Sequence, residues 1–300
     1  MRTYLTGADG MLGAALTTAL RTSEATAGWP IRGVSIGDFD IADAEAVDSS
    51  IDDFCPDLVI HTAANAVVDE CEADPGLALR VNVNGTRNVA TACRRRGGRL
   101  VYISSDYVFD GRDCPPVGYD EADIPNPLSV YGLTKLAGER IAASADPGCV
   151  IVRTSWLFGG QDERTDNVLA MARKLVEGEP EELISDQFSC PTYTPDLARA
   201  IVYLLTIGRP FSGTVHVANA GSASWHQVGQ VVREAMAELR FDADRIPVPR
   251  PISLADCKFL GARPRRSALS TRRLSGLGFQ MPSWRCAVRR FCASIAGGTA

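Results

Sequence analysis

Thr3-Tyr4-Leu5-Thr6-Gly7-Ala8-Asp9-Gly10-Met11-Leu12-Gly13-Ala14-Ala15-Leu16 runs from a short apolar stretch through three evenly spaced glycines into an amphipathic one. In a doubly wound sheet, a strand that turns on glycines into a helix delivers backbone N–H groups to a diphosphate, and the missing side chains let it come close. Gly7, Gly10, Met11, Leu12 and Gly13 are therefore the candidate dinucleotide-binding turn. The spacing alone is weak evidence in a chain with 27 glycines, and the strand-turn-helix context supplies most of its weight.

Outward from that turn the same rhythm repeats. Apolar runs at Thr3–Leu5, Arg32–Ile36, Leu58–Thr62, Leu100–Ser104 and Val150–Ser155 alternate with amphipathic stretches at Leu12–Arg21, Ala42–Phe54, Pro75–Arg96 and Val130–Ala143. Such alternation predicts an α/β fold, a Rossmann-like doubly wound parallel sheet. Leu58–His61 and Leu100–Ile103 have the continuous apolar character of strands covered on both faces.

After Trp156 the pattern changes to a helix near Asn167–Glu177, a loop Ser185–Pro195, a helix Asp196–Leu205, a strand-like Thr214–Ala218 and a helix Trp225–Leu239. We read residues 1–158 as a dinucleotide-binding domain to which 194–219 return. Residues 159–193 and 220–300 would form a smaller C-terminal substrate-binding lobe.

With 45% hydrophobic and 22% charged residues and no long apolar run, neither disorder nor a membrane span is expected. A net charge of −5 argues against nucleic acid as a partner. Nine cysteines without a Cys-x-x-Cys pair suit free thiols in a reducing compartment. Glycines and an aspartate interrupt the N-terminal apolar residues, so no secretory signal is read and a cytoplasmic location is expected. His61, His216 and His226 lack metal-ligand spacing, the first two read as structural, and no metal is expected. Eight arginines between Arg263 and Arg290 form either a solvated basic face or a site for the phosphates of a small ligand.

Tyr131-Gly132-Leu133-Thr134-Lys135 sets a phenol and an ammonium one helical turn apart, in a chain with only three lysines (135, 174 and 258). A neighbouring cation is expected to lower the phenol's pKa from about 10 toward the range useful for acid-base work. The second strand ends at Val34-Ser35-Ile36-Gly37 without the acidic residue that grips an adenosine 2′-hydroxyl. A 2′-phosphate is then admissible, Arg32 is the nearest cation, and NADPH is favoured over NADH.

The glycine triplet, Tyr131/Lys135 and Ser104-Ser105-Asp106-Tyr107-Val108-Phe109-Asp110-Gly111 together resemble the extended short-chain dehydrogenase/reductases, and within them the dTDP-4-dehydrorhamnose reductase family. The resemblance covers nearly the whole chain. It recurs at His61-Thr62-Ala63-Ala64, Arg153-Thr154-Ser155-Trp156, Asp186-Gln187 with Pro191-Thr192, and Arg263-Pro264.

It implies that Ser105 holds a substrate carbonyl, Tyr131 donates the proton and Lys135 holds the nicotinamide ribose. Ala63 and Ala64 would line the adenosine and pyrophosphate channel, and Asp40 and Ile41 would approach the adenine. Asp106, Tyr107 and Trp156 would border the sugar. Gln187, Thr192 and Arg263 would hold the nucleotide of a substrate, dTDP-linked by the resemblance. The implied reaction is NAD(P)H-dependent reduction of the C4 keto group of a nucleoside-diphosphate 4-keto-6-deoxysugar, and a homodimer stays open. The trio also makes chemical sense, because a hydroxyl and a phenolic proton together neutralise the charge that hydride transfer leaves on a carbonyl oxygen.

Ser189, Ala223, His226 and Arg266 depart from the family's usual residues, all in the substrate half. A sugar-nucleotide dehydratase or epimerase shares the fold and the Tyr/Lys pair. Dehydratases of this kind, however, carry Asp-Glu after the catalytic hydroxyl residue where this chain has Asp106-Tyr107. A non-catalytic regulatory subunit of the same fold is the remaining alternative.

Overall fold

The computed structural model describes residues 1–208, 211–239 and 245–297. The strands are β1 (Thr3–Thr6), β2 (Ile31–Val34), β3 (Leu58–His61), β4 (Arg99–Ser105), β5 (Val150–Thr154), β6 (Leu157–Phe158), β7 (Glu182–Ile184), β8 (Thr192–Tyr193), β9 (Gly213–His216) and β10 (Arg250–Ile252). The helices are α1 (Met11–Thr22), α2 (Ala44–Phe54), α3 (Val68–Ala73), α4 (Pro75–Ala78), α5 (Thr86–Arg95), α6 (Val130–Ala145), α7 (Asn167–Val176), α8 (Thr194–Thr206), α9 (Trp225–Glu238), α10 (Arg272–Gly276) and α11 (Trp284–Gly297).

Six strands form one parallel sheet in the order β2-β1-β3-β4-β5-β9. The chain leaves β1 for one neighbour, β2, and returns on the other side as β3, so the winding reverses between β1 and β3. Ligands of doubly wound sheets settle outside the carboxyl ends of the strands at such a reversal. All residues of β1, β3 and β5 are buried, as expected of strands covered on both faces. One core, with Leu5, Leu16, Ile60 and Val152, fills the face under α1 and α8, and another, with Tyr4, Val59, Tyr102 and Ile51, fills the face under α2 and α5.

A third core joins α7, α9 and α11 through Leu169, Val232 and Phe291, with the short β7-β10 pair beside it. Local chemistry starts these helices. Asp166 caps α7 by accepting from the Val168 and Leu169 N–H groups, and Ser224 with Gln227 forms a capping box on α9. On the large sheet, α8 packs on α1 and β9 pairs with β5.

The predicted Pro75–Arg96 helix departs from regularity. It consists of α4, a π-helical stretch Leu79–Gly85, and α5. The wider turn is invisible to a 3.6-residue periodicity, and its consequence is the placement of Asn82 described below.

Candidate active site

Gly7 takes φ +66, a left-handed conformation that L side chains rarely adopt. A Cβ there would come within 2.9 Å of the Ala63 backbone and the Thr62 hydroxyl. Ala63 is thus pressed against the turn at the β1/β3 reversal. Gly13 is excluded from bearing a side chain for a different reason, because its Cβ would meet the Gly7 carbonyl at 2.0 Å. Gly10 differs from both. It is the residue before α1, provides no side-chain cap for the α1 N–H groups, and a Cβ on it would have only the Gly7 carbonyl, at 3.3 Å, within 4 Å. A cradle with N–H groups that no side chain caps, and with glycine at each of the three close approaches, fits the diphosphate of a dinucleotide.

Beyond β2, Ile41 is buried against Gly85, while the Asp40 carboxylate pairs with Arg80 and accepts the Ala42 N–H at 2.9 Å. The Ala42 amide and the Arg80 guanidinium hold its pKa below the usual carboxylate range. Arg32, the cation nearest in sequence, is committed elsewhere: it pairs with Asp53 at 2.6 Å and lies 4.8 Å from the Phe54 ring centre.

Ser105 ends β4, and its hydroxyl oxygen accepts the Tyr107 N–H at 3.2 Å. Tyr131 lies in the first turn of α6, whose cap is the Ser129 hydroxyl on the Gly132 N–H. Burial raises the Tyr131 phenol, whereas its hydrogen bond with the Ser105 side chain pulls the other way. The net direction is upward, away from the phenolate. This corrects the expectation that Lys135 lowers it: the ammonium instead stands 4.5 Å from the Tyr102 ring centre, with Glu139 as its counter-charge. Burial pulls Lys135 down to about 8 and Glu139 opposes that fall.

Toward the substrate side, the Tyr107 ring meets the Tyr131 ring edge-on, centroids 5.7 Å apart. Gln187 is buried, hydrogen-bonds the Tyr107 side chain, and donates to the Pro264 carbonyl at 3.2 Å. Arg263 lies near Tyr107 and lines a cleft of about 440 Å³ with Arg265, Arg266, Arg112, Asp110 and Leu128. It also pairs with Asp69 at 2.9 Å, across the fold. The eight arginines do not form one face. Arg289 and Arg290 fasten α11 to Glu234 and Asp196, Arg273 lies over Phe211, and only 263, 265 and 266 of the run reach the cleft.

Trp156 has φ +40, unusual for any residue with a side chain and more so for a bulky one. Its ring stacks on Trp225 with centroids 4.2 Å apart and planes 9° from parallel. Thr192 does not reach the cleft. It is fully buried, its hydroxyl donates to the Cys190 carbonyl, and its N–H holds the Trp156 carbonyl at 3.0 Å, because β8 pairs with β6 there. Asp106 also faces inward, with its oxygens taken by serine hydroxyls.

Sequence reasoning missed Asn82, Glu139 and Trp225. The π-helical stretch turns Asn82 inward, where it holds both the N–H and the carbonyl of Asn65 and donates to Thr134 at 3.0 Å, between Tyr131 and Lys135 in α6. Glu139 accepts Ser104 at 2.5 Å and forms a two-pronged buried pair with Arg153 at 2.8 Å on each oxygen. Its spacing from Lys135, one more turn along the same face, was the available signal. Ala64 adjoins Ala63 at the end of the β3 loop; no contact of its own distinguishes it.

The sequence matches the model of the RmlD substrate binding domain family over residues 1–296. It is 34% identical to a dTDP-4-dehydrorhamnose reductase of Streptomyces griseus, over 99% of this chain and 94% of that one, and 35% identical to one of Mycobacterium tuberculosis, again over 99% and 94%. A crystal structure of the dTDP-4-dehydrorhamnose reductase of Bacillus anthracis in complex with NADP superposes with a TM-score of 0.87 at 34% identity, covering 98% of this chain and 99% of that one. A Thermus thermophilus UDP-glucose 4-epimerase superposes with a TM-score of 0.78 at 24% identity, covering 99% of both, which shows the shared fold. A glycine cradle at a sheet reversal and a Ser/Tyr/Lys site at the next strand end thus sit within similarity along the whole chain, which belongs to the dTDP-4-dehydrorhamnose reductase family.

Proposed function

We propose that this protein reduces the C4 keto group of a dTDP-linked 4-keto-6-deoxysugar with NADPH or NADH. The observation that carries the reading is the meeting of Ser105, at the end of β4, with Tyr131 of α6, in the sheet whose β1 leads into the Gly7-Gly10-Gly13 cradle two strands away. Gly7, Gly10, Met11, Leu12, Gly13, Ala63 and Ala64 would hold the dinucleotide, and Asp40 and Ile41 its adenosine end. Bound there, the reduced nicotinamide supplies hydride. Tyr131 gives its proton to the carbonyl oxygen, Ser105 donates a hydrogen bond to the same oxygen, and Lys135 holds the ribose. The absence of a carboxylate read from the sequence at the β2 end is corrected by the fold, because Asp38 turns back there and its Oδ2 accepts the Ser35 N–H at 2.8 Å and the Ser35 hydroxyl at 3.2 Å.

The elements around the third core form the substrate lobe in this reading. Arg263, Arg265 and Arg266 meet the diphosphate from the cleft, while Trp156, Tyr107 and the Gln187 loop shape the sugar and nucleotide end. Arginine suits the diphosphate because its planar fork binds phosphate oxygens two at a time. Among the described residues no helix is long and apolar enough to cross a membrane. The nine unpaired thiols accord with work in the cytoplasm.

The test is a panel of nucleotide-linked 4-keto-6-deoxysugars with NADPH and with NADH, followed by loss of nicotinamide absorbance, for wild type and Tyr131→Phe. The variant should lose roughly 10²–10⁴-fold in kcat with cofactor affinity unchanged. Retention of more than about a tenth of the rate removes Tyr131 from the role of proton donor. A dehydratase or epimerase would instead transform its substrate without net oxidation of the cofactor, and a regulatory subunit would turn over none of the panel.

A further inference from the structure

Asp106 is 1% exposed, next in sequence to Ser105. Its Oδ2 accepts the Ser189 hydroxyl at 2.7 Å and the Ser267 hydroxyl at 2.5 Å, while its Oδ1 accepts the Ser105 hydroxyl at 3.1 Å. Ser155 closes the group, 2.5 Å from Ser189. Four hydroxyls from four separate stretches of chain thus surround one carboxylate. A carboxylate taken out of water needs such partners, and here they are all neutral.

The bonds are unequal in a way that matters to Ser105. Its hydroxyl oxygen already accepts the Tyr107 N–H at 3.2 Å, and a hydroxyl has a single proton to donate. At rest that proton lies on Asp106. To serve a substrate carbonyl it must rotate away from Oδ1, and a long hydrogen bond yields it at small cost. The two shorter bonds on Oδ2 keep the carboxylate from following.

We propose that Asp106 is a positioning residue that holds the Ser105 hydroxyl proton until a substrate carbonyl takes it, and that Ser189 and Ser267 hold the carboxylate in register for that exchange. This rests on the reading of Ser105 as the hydroxyl that binds the carbonyl. Because Ser189 and Ser267 lie in the substrate lobe, the exchange also ties the direction of a hydroxyl on β4 to the seating of that lobe. Burial raises the Asp106 pKa above the ordinary carboxylate value, and the surrounding hydroxyls offset part of that rise.

A double-mutant cycle tests the link. Asp106→Asn, close in shape, should lower kcat about tenfold in the wild-type background, as expected for loss of an interaction to an ionised group, with the dissociation constant of NADPH unchanged. In the Ser105→Ala background the same substitution should change kcat by less than about twofold, since residues acting through one another are not additive. Ser189→Ala should show the same pattern with a loss of about fivefold, and it carries the test if Asp106→Asn does not fold. Equal fold losses in the two backgrounds, or a wild-type kcat for both variants, overturn the proposal while leaving Ser105 in its role. A wild-type kcat for Ser105→Ala itself overturns the reading of Ser105 and this inference with it.

Discussion

Gly10 and Gly13 are both glycines of one motif, yet the structure gives them separate duties. At Gly13 a side chain strikes the Gly7 carbonyl, so Gly13→Ala should lower the melting temperature of the free protein by several degrees, in keeping with overpacking costs of about 1–3 kcal/mol. At Gly10 a Cβ would meet only the Gly7 carbonyl, at 3.3 Å against 2.0 Å for Gly13, so Gly10→Val should lose less stability than Gly13→Ala and fail to bind NADPH. Thermal unfolding and a cofactor titration separate the two; normal NADPH binding by Gly10→Val would move the cofactor elsewhere. The glycines were legible from sequence because the turn needs them within seven consecutive residues. Asp106 was named from the resemblance as bordering the sugar, but its hydroxyl surroundings were not legible, since the hydroxyls on its Oδ2 come from 83 and 161 residues further along.

At the scale of elements, α6 is the organising piece. Tyr131, Lys135 and Glu139 follow each other by one turn, so one helix face carries the proposed proton donor, the proposed ribose cation and the carboxylate that holds β4 through Ser104 and β5 through Arg153. Replacing Glu139 by Gln leaves Arg153 without its buried counter-charge, and removing one partner of a buried pair costs about 3–5 kcal/mol. Urea unfolding should show that loss, and the Lys135 pKa should fall below about 8 because Glu139 supports it. Unchanged stability would mean that Arg153 has another acceptor. Tyr131 and Lys135 were readable because their chemistry stands out in a short window. The π-helical stretch that presents Asn82 was not, because a single wider turn leaves the apolar pattern of Pro75–Arg96 intact.

Across the whole molecule, the β-α rhythm predicted the parallel sheet, and β2-β1-β3-β4-β5-β9 is such a sheet. The third core was harder to read, because α7, α9 and α11 come from stretches far apart in the chain and meet only in space. Two buried histidines give the assembly an acid-sensitive stability. His61 lies between the Thr6 and Thr86 hydroxyls and His216 beside Arg153, and burial lowers both to about 3, from 6.5. Between those values the unfolded chain binds protons that the folded one refuses, so stability rises with pH through that window and is lost as pH falls from about 6.5 toward 3. Each histidine contributes a slope of about 1.4 kcal/mol per pH unit there, and His61→Gln should flatten the measured dependence by one such share. An unchanged slope would mean that His61 takes up a proton in the folded protein.

The central claim is that one substrate spans the molecule, its carbonyl on Ser105 and Tyr131 and its diphosphate in the arginine-lined cleft. Binding energy from a remote nucleotide then positions the reacting carbonyl, and removing the nucleotide should cost rate as well as affinity. The most direct measurement is kcat/KM with NADPH for a dTDP-linked 4-keto-6-deoxysugar against the same sugar without its nucleotide, in wild type and in Arg263→Ala. The account predicts a value at least about a hundredfold higher for the linked sugar, and an Arg263→Ala loss seen mainly in KM and only with that substrate. Equal kcat/KM for the linked and free sugars would contradict it.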